Sequence, residues 1–533
     1  MATAVAKKRT SVVKKKSKVV FTTEKQKVVP VLTGDSLISF ISGAQTNVGR
    51  STFYNMKEEQ RKVMADQHSV VFKEARPFYA LMCLPHGVND VNKQMIAWNL
   101  VTNTIREYGL KPHEHSPTTK WENELILQAF ENMPVPRVLD FGVALCDEKV
   151  TKKRAIFLIN EYLKRNQRSQ TLWAIKYRTE MMKILRHLEI FHKEKEVKYP
   201  ELFKIWKYLK DKDTTGCGQL IKDYEEVKAG NKEKLAKLPS TVAEGFMQKF
   251  GMSKDEFWKL FTTEGGKFTV KEKRLKAVSV KEAGASTELD IRKLKLFDLL
   301  VYLRALENYP KPKQELEVLL KNKAKEIAGK LNFELGKVGL IFDNSKSMQG
   351  TKEQLFHPLL RGMAISLVMK EVSSEYKEYY TNERGDHLFP RTGNQTNYAN
   401  GILQALKDGC ETIVIVGDGY ENAPFEGAAH QLLYTYKKKL DKDNKIMILH
   451  FNPVFAAEVK DVRAITELAP QIGVREVEGM NESMFLAIAK NQPMFAIKKY
   501  CNYLASLQNQ KAKTLMPSPV QEFFAKKDIL AVT

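Results

Sequence analysis

Cysteine is scarce in this 533-residue chain. The five copies, Cys83, Cys146, Cys217, Cys410 and Cys501, are scattered, odd in number and never at CxxC or finger spacing. That pattern argues against a disulfide framework and a thiolate zinc site, and fits a reducing compartment such as the cytoplasm. Long apolar runs are missing too: no stretch approaches the roughly 18 apolar residues of a membrane-spanning helix, so no membrane association is expected. The first residues have no apolar h-region, which argues against a secretory signal. A phosphate-cradling G-x-x-x-x-G-K-[ST] loop is also lacking. The nearest run, Gly43 to Ser51, is one residue too long and has no Lys.

What the chain does have is positive charge, unevenly placed. The net charge is +23. Residues 336–490 carry 18 Lys/Arg against 20 Asp/Glu, and residues 491–533 carry six against two, so +21 sits on residues 1–335. Such segregation gives one part of the molecule a field that attracts polyanions, nucleic acid being the commonest. Residues 1–33 hold much of it, with eight Lys and one Arg in the first 30, and lack any apolar period. They read as a basic disordered arm.

From 34 to 335 the pattern is helical. Val91, Met95, Trp98, Val101 and Ile105 recur at helical steps, as do Leu296, Leu299, Leu300, Leu303 and Leu306. Ser253 and Glu256 ahead of Phe257 form a capping-box start. Pro and Gly fall between such segments, as in an irregular helical-repeat array of the HEAT-like kind. Near 336 the period changes. Val338–Phe342, Thr412–Val416 and Ile446–Phe451 are short β-branched runs alternating with helical stretches near 352–373, 398–409, 424–440 and 481–492. Buried strands alternating with helices predict a doubly wound parallel α/β domain over 336–495, followed by a helix and basic tail over 496–533.

Loops after two of these strands carry oxygen donors. Asp343, Ser345 and Ser347 follow the first in a D-x-S-x-S turn, Asp418 follows Thr412–Val416, and Thr396 opens a helix between them. In open α/β sheets ligand groups collect beyond the carboxyl ends of the strands. Carboxylate and hydroxyl oxygens without soft donors suit a hard divalent ion such as Mg²⁺. A phosphatase of the D-x-D type would need a carboxylate at 345, and no general base is evident, so no catalytic role is expected. The three loops in this order resemble the metal-ion-dependent adhesion site of von Willebrand factor A domains, matching it at all five positions. The segment 376–390 departs from the apolar second strand usual in that fold. The resemblance implies an open coordination position that an acidic group can fill, hence an alternative reading as a metal-dependent protein-assembly factor.

In the helical part, Lys164, Arg165 and Arg168 close one segment, and a helix is expected over 171–190. At about 100° per residue, Lys183, Arg186 and His187 lie within about −80° to +20° of Lys176, opposite Met181, Ile184, Leu185 and Leu188. Such a face can lay cations along a phosphate backbone. Helical array followed by A-like domain resembles the TROVE-module RNA-binding proteins of the Ro autoantigen family. Phe40-Ile41-Ser42-Gly43, Thr52-Phe53-Tyr54 with Lys57-Glu58, Glu74 with Pro77, Ala80 and Leu81, and Tyr162 with Arg165-Asn166 resemble runs of that module. The resemblance implies a closed monomeric ring of helices that takes small non-coding RNA and single-stranded ends of misfolded RNA. By position it implies RNA contact for Arg165, and it sets Arg178 near a histidine of the family's RNA-contacting surface. Where the family continues G-W-S-H-K-D, this chain has Gln167 to Leu172 and keeps only Ser169.

Overall fold

The computed structural model describes residues 34–46, 57–103, 116–150, 153–266, 289–306, 311–331, 334–350, 355–385, 388–453, 465–469, 471–474, 477–489, 493–511 and 516–525, with a few more between 268 and 284. The expected basic arm, the Thr52-Phe53-Tyr54 run and Ile105 lie outside the described residues.

The helical part begins with α1 (Gly34–Thr46), α2 (Lys57–Glu74), α3 (Arg76–Leu81) and α4 (Asp90–Thr102). It continues through α5 (Pro117–Asn132), α6 (Val135–Asp147), α7 (Lys153–Arg165), α8 (Gln170–Lys176), α9 (Arg178–His187) and α10 (Lys193–Lys198). Then follow α11 (Pro200–Asp211), α12 (Gln219–Ala229), α13 (Ser240–Glu244), α14 (Lys254–Thr263), α15 (Leu296–Arg304) and α16 (Lys313–Ala328). Most helices pack on near neighbours in the chain, as in α1 on α2, α5 on α7 and α6 on α9, and α4 packs on α2, α3, α5, α6 and α7. The Ser253 capping box is present with both reciprocal hydrogen bonds. Helix α4 departs from a single apolar stripe. It is buried on most sides, polar Asn92 included, because Asn92 accepts from His68 Nε2 at 2.7 Å. The other ring nitrogen of His68 accepts from the Tyr79 hydroxyl at 2.7 Å. Burial pushes the His68 pKa down to about 4, so the ring is neutral and this tautomer satisfies both partners.

The α/β part holds a parallel sheet in the order β2-β1-β3-β4-β5, with β1 (Leu335–Phe342), β2 (Ser373–Tyr380), β3 (Thr412–Val416), β4 (Met447–Asn452) and β5 (Gln471–Gly473). Side chains alternate across it. Leu340, Phe342, Val414, Val416, Leu449 and Phe451 share one core with α17 (His357–Val372). Ile341, Ile413, Ile415 and Ile448 face α18 (Tyr398–Lys407) and α19 (Ala428–Lys439). The sheet is therefore doubly wound.

The polar run from 376 does make a strand. It stands at the sheet edge, where Tyr376 and Tyr380 satisfy their hydroxyls on Glu378 at 2.8 Å each, so it needs no apolar sequence.

Core packing crosses the expected boundary at 335: α15 and α16 bury Leu299, Leu303, Leu316 and Leu320 in the same core as the sheet. At the other end, α20 (Met480–Ala489) gives Met480 and Met484 to the sheet core, but Phe485 and Ala489 to the core of the first helices. Helix α21 (Pro493–Lys511) follows it there, packing on α1 and α3 through Ile497, Tyr500 and Leu504. The last helices thus return to the first. Among the described residues no helix is long and apolar enough to cross a membrane.

Candidate functional site

Strand β1 ends at Phe342, paired with Val416 of β3. The next residue, Asp343, continues this register, its amide donating to the Val416 carbonyl at 2.8 Å. Asp343 is fully buried, and Asp418, two residues past β3, nearly so. Gly417 is required between them: a Cβ there would run into the Tyr398 hydroxyl and the Asp343 side chain. The D-x-S-x-S turn closes on itself, with the Ser345 amide donating to Asp343 Oδ1 at 2.8 Å and the Ser345 and Ser347 hydroxyls 2.9 Å apart. Tyr398 donates to Asp343 Oδ2 at 2.7 Å. Burial, and then the neighbouring Asp418 carboxylate, push the Asp343 pKa up to about 6.

The loops are held by residues that sequence reasoning passed over. Fully buried Asn344 accepts from the Asn382 amide at 2.8 Å and donates to the Arg391 carbonyl at 2.7 Å, tying the first loop to the segment after β2. Asn422 accepts from the Thr396 amide at 2.8 Å. Glu421 accepts from the Ala399 and Ala429 amides, at 3.2 and 2.9 Å, capping α18 and α19 together. A polar pair three and four residues after Asp418 was the only available sign of this clamp.

Asp343, Ser345 and Ser347 share one turn after β1, Asp418 lies within electrostatic reach of Asp343, and Thr396 is tied through Asn422 to the loop after Asp418, all at the carboxyl end of the sheet. A cation fits the donors that remain. Among the described residues neither aspartate is in an ion pair, and the Thr396 hydroxyl has no protein partner. One Asp418 oxygen is occupied by the Tyr420 amide, leaving the other. His450 beneath donates Nε2–H to the Gly417 carbonyl at 3.0 Å and is held neutral, its pKa lowered to about 4 by burial, so it brings no compensating charge. No cluster of three or more His, Cys, Asp and Glu side chains that could hold an ion occurs among the described residues. Hydroxyls would have to complete the shell, as hard-ion sites allow.

The basic candidates fall into four groups. Lys164 and Arg168 are exposed without partners among the described residues. Arg165 is not available in the same way. Its guanidinium meets Glu124 at 2.9 Å, Glu131 at 3.1 Å and Glu161 at 3.5 Å, and the Glu124 hydrogen bond above all raises its pKa.

The expected single helix over 171–190 is two. The chain breaks at Tyr177 (φ −125°, ψ 46°), which separates Lys176 from the rest. Arg178, Lys183, Arg186 and His187 line one concavity of about 540 Å³ between α6, α9 and α11. Lys183 leans on Asp147 at 3.5 Å, His187 donates to the Val150 carbonyl at 3.1 Å, and Arg186 stays exposed without a partner among the described residues. Lys176 lines a second concavity on the other side of the break.

No family model matches the chain, and no curated protein does. Among solved structures the chain is similar to the crystal structure of the Deinococcus radiodurans RO (RSR) protein, at 12% identity and a TM-score of 0.49, covering 84% of this chain and 99% of that one. The likeness is too loose to carry an argument, so the fold stands on this chain's own topology: a helical array joined to a doubly wound parallel α/β domain.

Proposed function

We propose that this chain is a non-catalytic RNA-binding ribonucleoprotein component of the Ro kind, which takes small non-coding RNA and single-stranded ends of misfolded RNA on its helical part. The observation that carries the reading is the basic concavity on α9. Arg178, Lys183, Arg186 and His187 converge there, on the helical part that carries +13 of the net +23. Cations set in a concave surface contact phosphates, and shape rather than base edges then selects among RNAs. The local runs quoted above and the order of the two parts support the same reading. The direct test is to purify the protein from its host and sequence the RNA that accompanies it. A Lys183→Ala/Arg186→Ala variant should lose that RNA, and a wild-type preparation free of RNA contradicts the reading.

The crevice at Asp343 and Asp418 supports a bound hard divalent ion, Mg²⁺ foremost, held by Asp343, Ser345, Ser347, Thr396 and Asp418. When bound, the ion would supply a Lewis-acidic position for an acidic side chain of a protein partner. The chain's own part is to bury two carboxylates that have no ion-pair partner among the described residues, and to fix three loops by Asn344, Glu421 and Asn422. Calorimetric Mg²⁺ titration should give one site, lost in Asp418→Ala. Equal heats from both proteins would remove the ion from the account.

A further inference from the structure

The second concavity, beside the Tyr177 break, is a different kind of surface from the first. It has a volume of about 500 Å³ and is lined by Ile175, Lys176, Tyr177, Tyr224, Val242 and Phe246, with Thr241 and Gly245 at its edge. Tyr177, Tyr224 and Phe246 are each only partly buried. Tyr224 and Phe246 meet edge to face, ring centres 5.7 Å apart. Lys176 is exposed and has no partner among the described residues.

Arg178 joins the two concavities. It lines the basic one, and its guanidinium carbon lies 5.8 Å from the ring centre of Tyr224, which lines the aromatic one. Its orientation is fixed from behind: Nη2 donates to the Tyr208 hydroxyl at 3.2 Å, which in turn donates to Glu225 at 2.7 Å. The nearby carboxylates are Glu225, 4.0 Å from Arg178, Asp147 against Lys183, and Glu180, which lies within electrostatic reach of Tyr177. They leave Lys176 and Arg186 to face solvent, one on each side.

We propose that the Tyr177–Tyr224–Phe246 concavity holds an unpaired nucleobase of a single RNA strand whose adjoining phosphates lie on Lys176, Arg178 and Arg186. The proposal rests on the RNA-binding reading above and adds to it a base site. Base faces stack on aromatic rings in single-stranded RNA recognition, and such stacking tolerates any base. An isolated aromatic hollow would suit an apolar peptide equally well. The flanking cations and the net charge of this part of the chain favour a polyanion.

The test fills the hollow without removing its rings. Thr241 is exposed at the rim, so Thr241→Trp should occupy the space and leave the fold intact. Affinity for a short unstructured RNA should fall about ten-fold, the loss of one stacked base. Affinity for a blunt duplex of equal length, and the salt slope, should stay unchanged. A bromouridine-bearing RNA should photocrosslink to a peptide containing Tyr177, Tyr224 or Phe246. Unchanged single-strand affinity in Thr241→Trp overturns the proposal, as do crosslinks confined to other segments. An equal fall for strand and duplex also overturns it. If the variant binds RNA normally while Lys183→Ala/Arg186→Ala does not, the base site falls and the RNA-binding reading stands. If wild-type protein binds neither probe, both fall. Uptake of a tryptophan peptide that RNA does not displace assigns the hollow to a protein partner and overturns the base site alone.

Discussion

At the scale of single residues, the charge of a side chain says less about its task than its partners do. Arg165 and Arg186 read alike in sequence. Arg165 is locked among Glu124, Glu131 and Glu161, whereas Arg186 is exposed above a concavity. Arg165→Ala should therefore cost on the order of 1–3 kcal/mol of stability, because it takes the guanidinium away from the mostly buried Glu124, while RNA affinity changes little. Arg186→Ala should do the reverse, with unfolding unchanged and RNA affinity reduced. Denaturant titration and filter binding on both variants separate the two roles. The pairing of Arg165 was not legible, since Glu124 and Glu131 are 41 and 34 residues away and only the fold brings them near. Glu161, one helical turn back, was the one carboxylate a sequence could offer.

At the scale of elements, the candidate oxygen-donor loops were legible because Asp343 and Asp418 follow strands and Thr396 stands just before a helix. Three β-branched runs announced β1, β3 and β4. Strand β2 was not visible as apolar sequence, because an edge strand packs tyrosines on one core and leaves charges outside. The break at Tyr177 was invisible too: periodicity runs through it, and only tertiary packing bends the backbone there. The clamp over the crevice makes a sharp prediction. Gly417→Ala drives a methyl group against Tyr398 and Asp343 in a packed site, so it should cost about 1–3 kcal/mol. Mg²⁺ binding should weaken with it, read by calorimetry on protein that still shows a cooperative unfolding transition. Binding equal to wild type would show that the crevice tolerates the shift and that the tight approach at Gly417 has no part in shaping it.

At the scale of the whole molecule, α20 and α21 join the α/β domain to the first helices, and one carboxyl lies in that joint. Glu482 is fully buried against Gly87, whose lack of a Cβ makes room for it, and accepts from the Tyr503 hydroxyl at 3.2 Å. Lys93 of α4 and Tyr500 of α21 face it as well. Burial pushes its pKa up to about 7, above the ordinary value of 4.5. A folded-state pKa above the unfolded one means that stability is fully present below the unfolded value and is lost as pH rises through about 7. Between pH 5 and 8 the wild type should lose on the order of 2–3 kcal/mol relative to Glu482→Gln. Thermal unfolding of both proteins across that range checks it, and parallel pH profiles would remove Glu482 from the joint's energetics.

The same scale carries the central claim, that RNA is held by cations gathered on the helical part. Measuring RNA affinity against salt tests it most directly, for wild type and for Lys176→Ala/Lys183→Ala/Arg186→Ala. The account predicts a linear fall of log affinity with log salt, and in the variant a slope shallower by about 0.7 for each single-strand phosphate that is no longer neutralised. Affinity indifferent to salt, or a variant with the wild-type slope, would contradict it.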